Sequence, residues 1–263
     1  MTTKSAISAA GAAVALSRQL ETHGSIDPLT DVKRNLVLGY RMLGMRGLGL
    51  GLLAHLTARL PGAQTFWTYG FGQSVEEVTL QSLCEADFDG KTLDPDARIN
   101  PTLASHGPIY RAHPDVLCIV HHHGDNCVAA GAIGTTLLPV DNHAARWHGD
   151  VRLVQDYEDT FSIAEQGEIM AGEFATAKGL LLKHHGLIVA RGSIQETVVR
   201  ALELESSLGM QLKAMAAGPL HLMPDGAIEE CKKFLNSDVY FTEMWAYLRR
   251  RLQRDGLDHD LGF

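Results

Sequence analysis

The residue types best suited to chemistry in this chain are two short histidine runs, His121-His122-His123 and His184-His185 followed by Gly186. A β-strand sends successive side chains to opposite faces, so residues 121 and 123 project to one side with Cα atoms about 6.6 Å apart, while 122 points to the other. That separation lets two imidazoles converge on one ion. A solvated or locally hydrogen-bonded run at a strand end explains the first cluster equally well. A third imidazole changes the balance. Imidazole suits Zn, Fe, Co, Mn and Ni, and three protein ligands with open positions make a catalytic rather than a structural site. Spacing alone does not say that residues 121 and 185 meet. The expectation is a divalent transition metal (Zn, Fe, Mn or Co) held by His121, His123 and His185.

The elements that must position these residues are legible in outline. Pro114-Asp115 precedes a continuous apolar run at 116–120, which reads as a buried strand delivering 121–123 at its end, with Asp125 then capping a helix through 130. Strands are expected at 179–183 and 187–190, with His184-His185-Gly186 at a tight junction that Gly relieves. Upstream, Asp27-Pro28 reads as an N-cap with Pro at N1 of a helix ending near 44–47, with Val32, Leu36, Tyr40 and Leu43 on its apolar face. Two short strands follow at 48–59 and 64–69, turned by Pro61-Gly62 and therefore antiparallel. Ser193 and Glu196 form an S-x-x-E capping box for a helix running to Gly218-Pro219. A last helix carries Tyr240, Met244, Leu248 and Leu252 on one face.

Composition narrows the function classes. The 263 residues are 45% hydrophobic and carry a formal net charge of −8. This is enough for one α/β domain, expected over 27–263, with 1–26 an Ala/Ser-rich N-terminal extension. No basic run precedes Arg249, Arg250 and Arg251, which suit the C-terminal end of a helix dipole, so no nucleic-acid surface is expected. Four scattered cysteines and the lack of a leader-like segment point to a reducing, cytoplasmic setting. No apolar run nears the roughly 18 residues of a membrane span.

The order of several stretches resembles the class II aldolase/adducin head family. The matching pieces are Pro101 to His106 with Ile109-Tyr110, Arg111-Ala112-His113-Pro114-Asp115-Val116, His121-His122-His123, Leu138-Pro139, Leu181-Leu182-Lys183-His184-His185-Gly186, and Gly192-Ser193-Ile194-Gln195-Glu196. The resemblance implies an α/β/α sandwich with a central, mainly antiparallel sheet, a three-histidine metal site, and a homo-oligomer, commonly a tetramer. Two departures matter. Sugar-phosphate members of the family carry an acidic residue a few positions before the residue matching His106, but 100–105 holds no carboxylate. Their phosphate-binding stretches are replaced by Ala54-His55-Leu56-Thr57 and Thr68-Tyr69-Gly70. A phosphorylated sugar is therefore not expected.

Three neutral imidazoles leave the ion its full charge, which favours a chelating carboxylate or catechol. The resemblance includes decarboxylases of hydroxylated aromatic or 3-oxo acids, the leading expectation, and non-haem Fe(II) oxygenases, the alternative; a non-catalytic adducin-like head is a third. His55, Thr57 and Arg59 alternate on one strand and are expected to face the substrate, Arg59 clamping a carboxylate. His106 is the expected proton donor and His143 its reserve. Tyr157 aligns with a stretch used near an interface in the family. For each of these, ordinary packing or solvation is the competing explanation.

Overall fold

The computed structural model describes residues 27–49, 52–155 and 162–258. The expected extension at 1–26 and Tyr157 lie outside the described residues. Helix α1 (Pro28–Met45) starts as read from the sequence, with the Asp27 carboxylate accepting from the Thr30 amide. It buries Leu36 through Leu43 against the sheet.

Seven strands form one sheet: β1 (His55–Ala58), β2 (Thr65–Tyr69), β3 (Leu83–Asp87), β4 (Cys118–His122), β5 (Val151–Val154), β6 (Gly179–Leu182) and β7 (Gly186–Arg191). Their order is β3-β2-β1-β4-β7-β6-β5, with every pairing antiparallel except β5 with β6. Alternation along β4 and β7 feeds two cores. Val120, Leu187 and Val189 join the cluster under α1 and the long helix α6 (Ile194–Ala217). Ile119, Ile188 and Ala190 join the opposite cluster, with residues of α2 (His106–Ala112) and α5 (Ile163–Glu173). The result is a three-layer α/β/α arrangement around a mainly antiparallel sheet. The remaining described α-helices are α3 (Asp125–Ala132), α4 (Asn142–Arg146), α7 (Asp225–Leu235) and α8 (Asp238–Arg254), and short 3-10 turns lie at Val75–Glu77, Leu80–Ser82 and Pro101–Ser105.

Several local expectations are corrected. Among the described residues of the strand read over 48–59, His55–Ala58 pair as a strand, and glycine in the first part of that stretch weakens a pleated surface. Helix α3 has Gly124, not Asp125, at its N-cap and no side-chain cap of its own. Ser193 does cap α6, accepting from the Glu196 amide, but the Glu196 carboxylate turns instead to Arg200 Nε at 2.7 Å and Arg191 Nε at 3.3 Å. A charge pair is the stronger hydrogen bond available to it. At the β6–β7 junction His184, not Gly186, takes the left-handed conformation, with φ 59°. Gly186 is needed for close approach, since a Cβ there would stand 2.4 Å from the His122 carbonyl oxygen.

Candidate metal centre and its cavity

The structure brings His121, His123 and His185 together. One ring nitrogen from each lies within 4.8 Å of the others. His121 sits on β4 and is buried, whereas His123 follows the strand end and His185 lies in the β6–β7 turn, both partly exposed. The antiparallel pairing of β4 with β7, His121 opposite Ile188 and His122 opposite Leu187, carries that turn to the end of β4. His122 points to the other face and is fully buried, and His184 is exposed.

His121 Nδ1 lies 2.9 Å from the Leu187 carbonyl oxygen. A carbonyl only accepts, so Nδ1 carries the hydrogen and Nε2 presents its lone pair, the arrangement a ligating histidine needs. The Nε2 atoms of His121 and His123 are 2.8 Å apart. Two imidazole nitrogens on one ion at about 2.0–2.1 Å stand roughly 2.9 Å apart at a right angle and about 3.4 Å apart in a tetrahedron, so small rotations suffice. Burial, then the charges of His55, His123 and His185, holds His121 well below the ordinary histidine pKa, so it is neutral and ready to ligate at pH 7. This donor set fits a divalent transition metal.

The three histidines open onto a cavity of about 320 Å³. Leu53, Ile163, Met170, Leu182 and Ile188 supply its apolar wall, and Asn100, Thr102 and Gln166 add polar groups. No lysine, arginine or carboxylate is among its described lining residues. Of these, Gln166 and Met170 of helix α5 are absent from the sequence reading. The Ser162-x-x-Glu165 capping box signals where α5 starts, whereas its packing on α2, which brings these two residues to the cavity, is encoded by no local pattern.

His55 and His106 line the same cavity. Their rings form a row with the metal triad: centroids of His106 and His55 are 4.9 Å apart, and those of His55 and His121 4.8 Å. His106 opens α2, seated where Gly107 passes so close to Phe88 that a Cβ would meet its carbonyl oxygen at 1.8 Å. Burial lowers the His106 pKa to about 3, so it is neutral at pH 7 rather than titrating there. Thr57 does not line the cavity; its hydroxyl lies behind His106, 2.8 Å from His106 Nδ1 and 2.8 Å from the Tyr110 hydroxyl.

Two expected site residues are elsewhere. The Arg59 guanidinium is spent on backbone, Nε donating to the Val116 carbonyl at 2.9 Å and a terminal nitrogen to that of His113 at 3.0 Å, while it stacks on Tyr110. A buried cation needs such acceptors, and here it ties β1 to the 113–116 turn instead of clamping a substrate. His143 lies on α4, half-exposed, with Nδ1 3.3 Å from a Glu203 carboxylate oxygen; that carboxylate raises its pKa, and His143 lines a separate groove with Val199 and Leu248.

With this geometry in hand, comparison with known proteins is decisive. The family model of the class II aldolase and adducin N-terminal domain matches residues 34–212. The chain belongs to this family. A putative aldolase class 2 protein of Caulobacter vibrioides is 28% identical over 227 residues, covering 82% of this chain and 86% of the relative. The 4-hydroxy-3-prenylphenylpyruvate oxygenase/4-hydroxy-3-prenylbenzoate synthase of Streptomyces roseochromogenus is 27% identical over 190 residues, covering 71% of this chain and 66% of the relative. The crystal structure of an aldolase II superfamily protein from Pseudomonas syringae superposes with a TM-score of 0.78 at 24% identity, over 89% of this chain and 97% of that one. Membership of the class II aldolase family and its α/β/α fold are thereby established. Among the described residues no helix is long and apolar enough to cross a membrane.

Proposed function

We propose that this member of the family is a divalent-metal-dependent carbon–carbon lyase, a decarboxylase of a hydroxylated aromatic acid or a 3-oxo acid. The observation that carries the reading is the pairing of three converging imidazoles with a cavity whose described lining has neither a cation for a phosphate nor a carboxylate for an aldolase's proton transfers. His121, His123 and His185 would hold the ion, which when bound supplies positive charge to draw electron density from the substrate's oxygens as carbon dioxide leaves. The protein's own part is placement. The apolar wall of Ile163, Met170, Leu182 and Ile188 shields a ring or chain from water, and the polar rim orients its oxygens. His106, neutral in this setting, holds a proton rather than cycling through an imidazolium. The active unit is proposed to be a homo-oligomer.

The name of the Streptomyces relative favours a second reading, an Fe(II) oxygenase acting on a similar substrate. One experiment separates the two: elemental analysis of the purified protein, then carbon dioxide release from dihydroxybenzoates and 3-oxo acids with and without oxygen. Release under argon is the expected result. Release that requires both iron and oxygen selects the oxygenase. Cleavage of a sugar phosphate at about 1 per second or faster overturns both readings.

A further inference from the structure

Two buried ring nitrogens beside the triad have no hydrogen-bond partner: Nδ1 of His55 and Nε2 of His106. Both rings line the cavity, His55 at 4% exposure and His106 at 0%. A buried polar atom without a partner is destabilising, and one that faces a cavity can be completed by a ligand.

The hydrogens on these rings follow from what lies behind them. The only partner of the Tyr110 hydroxyl among the described residues is Thr57 Oγ1. Tyr110 therefore donates to Thr57, and Thr57 spends its own hydrogen on His106 Nδ1. That leaves His106 with its hydrogen on Nε2, a donor. On the other ring, the Thr102 hydroxyl donates to Asn100 Oδ1 at 2.8 Å, an oxygen whose identity is pinned because it also accepts from the Thr102 amide at 3.0 Å. Thr102 Oγ1 is thus the acceptor for His55 Nε2 at 3.3 Å, and His55 Nδ1 is a bare lone pair.

We infer that His55 and His106 form an acceptor–donor pair that reads one hydroxyl of the substrate beside the metal triad, with Thr57, Tyr110, Thr102 and Asn100 as the positioning residues that set the two tautomers. The hydroxyl donates to His55 Nδ1 and accepts from His106 Nε2–H. An ether, a hydrogen or a phosphate at that place leaves one or both nitrogens unpaired, so the pair selects a substrate with a hydroxyl or enol next to its chelating oxygens. The inference rests on the cavity being the substrate site of a metal enzyme, as proposed above.

The test has two arms. Long-range ¹H–¹⁵N NMR on the labelled metal-free protein reads the tautomers directly: hydrogen on Nε2 of both rings is expected, and hydrogen on Nδ1 of either overturns the pair. In the second arm, catechol and pyrogallol are titrated into the zinc-loaded protein without oxygen. Pyrogallol, with its third adjacent hydroxyl, should bind about fivefold more tightly, within the range one hydrogen bond supplies. His55→Leu and His106→Leu should each bring the ratio near one with zinc content unchanged, and His106→Gln, whose amide still donates, should restore part of it. Equal binding of the two probes to the wild type overturns the pair while leaving the metal site standing. Failure to retain zinc or to bind catechol at all overturns the parent reading with it, and zinc analysis tells the two failures apart.

Discussion

The end of β4 carries two clusters of metal-ligating side chains on opposite faces of one strand, and they have opposite fates. On one face stand His121, His123 and His185; on the other, His122, Cys127 and Glu205, all buried and with their ligand atoms likewise within 4.8 Å of one another. In the second cluster the acceptors are spent on the protein itself, and what is left over is a donor, the buried His122 Nε2–H, which has no hydrogen-bond partner among the described residues. His122 Nδ1 accepts from the Gly124 amide at 3.0 Å, Glu205 accepts from the amides of Asn126 at 2.9 Å and Cys127 at 3.1 Å, and the Cys127 thiol donates to the Gly124 carbonyl at 3.1 Å. Glu205, on α6, supplies the N-terminal cap that α3 lacks, where the helix dipole favours a carboxylate. Ligand types at ligand distances are thus insufficient. A site is made by lone pairs that the fold turns toward one another beside a cavity, as at His121 Nε2 and His123 Nε2, 2.8 Å apart, whereas the second cluster spends its own on the turn that follows the metal ligands.

The sharpest way to break this comparison is metal content. His121→Ala, His123→Ala or His185→Ala should each weaken metal binding by more than the 10–100-fold typical of losing an outer-shell partner. His122→Ala and His184→Ala should leave elemental stoichiometry near that of the wild type. Equal losses at 122 and 123 would erase the distinction between the faces. Stability should show the reverse order. Glu205→Ala strands two buried amides and should cost about 2–4 kcal/mol by urea unfolding, with metal still bound at low temperature. His122→Leu, stranding only the Gly124 amide, should cost about 1–2 kcal/mol. The smallest effect is expected at Cys127. Burial, then the neighbouring Glu205, pushes its thiol pKa well up, so iodoacetamide should leave it unlabelled in the folded protein while the less buried Cys231 reacts. Cys127→Ser should change stability by roughly 1 kcal/mol or less.

Much of this site is legible in the sequence, and for identifiable reasons. The period of two in a strand predicts that His121 and His123 share a face and His122 does not, and the fold keeps that prediction although β4 closes at His122. The apolar runs around His121 and His185 and the S-x-x-E start of α6 are local patterns with local causes. His106 stands out through its neighbours, and it lines the cavity. Arg59 and His143 are misplaced by sequence reasoning because their context is that of any polar residue near a strand or turn. Their partners, the carbonyls of His113 and Val116 and the carboxylate of Glu203, are distant along the chain.

What the sequence determined by itself is the inventory and its phase: three candidate imidazoles, no carboxylate in 100–105, no concentrated basic patch ahead of the last helix, and side chains alternating in a known order. Tertiary structure decided which of them meet. The pairing of β4 with β7 brings residue 185 to residues 121 and 123 across more than sixty positions of sequence, and the packing of α2 and α5 on the sheet walls the cavity they share. The physical reason is that a side chain's direction is fixed by the two bonds on either side of it, while its partners are fixed by backbone pairing and burial between segments that no local window contains.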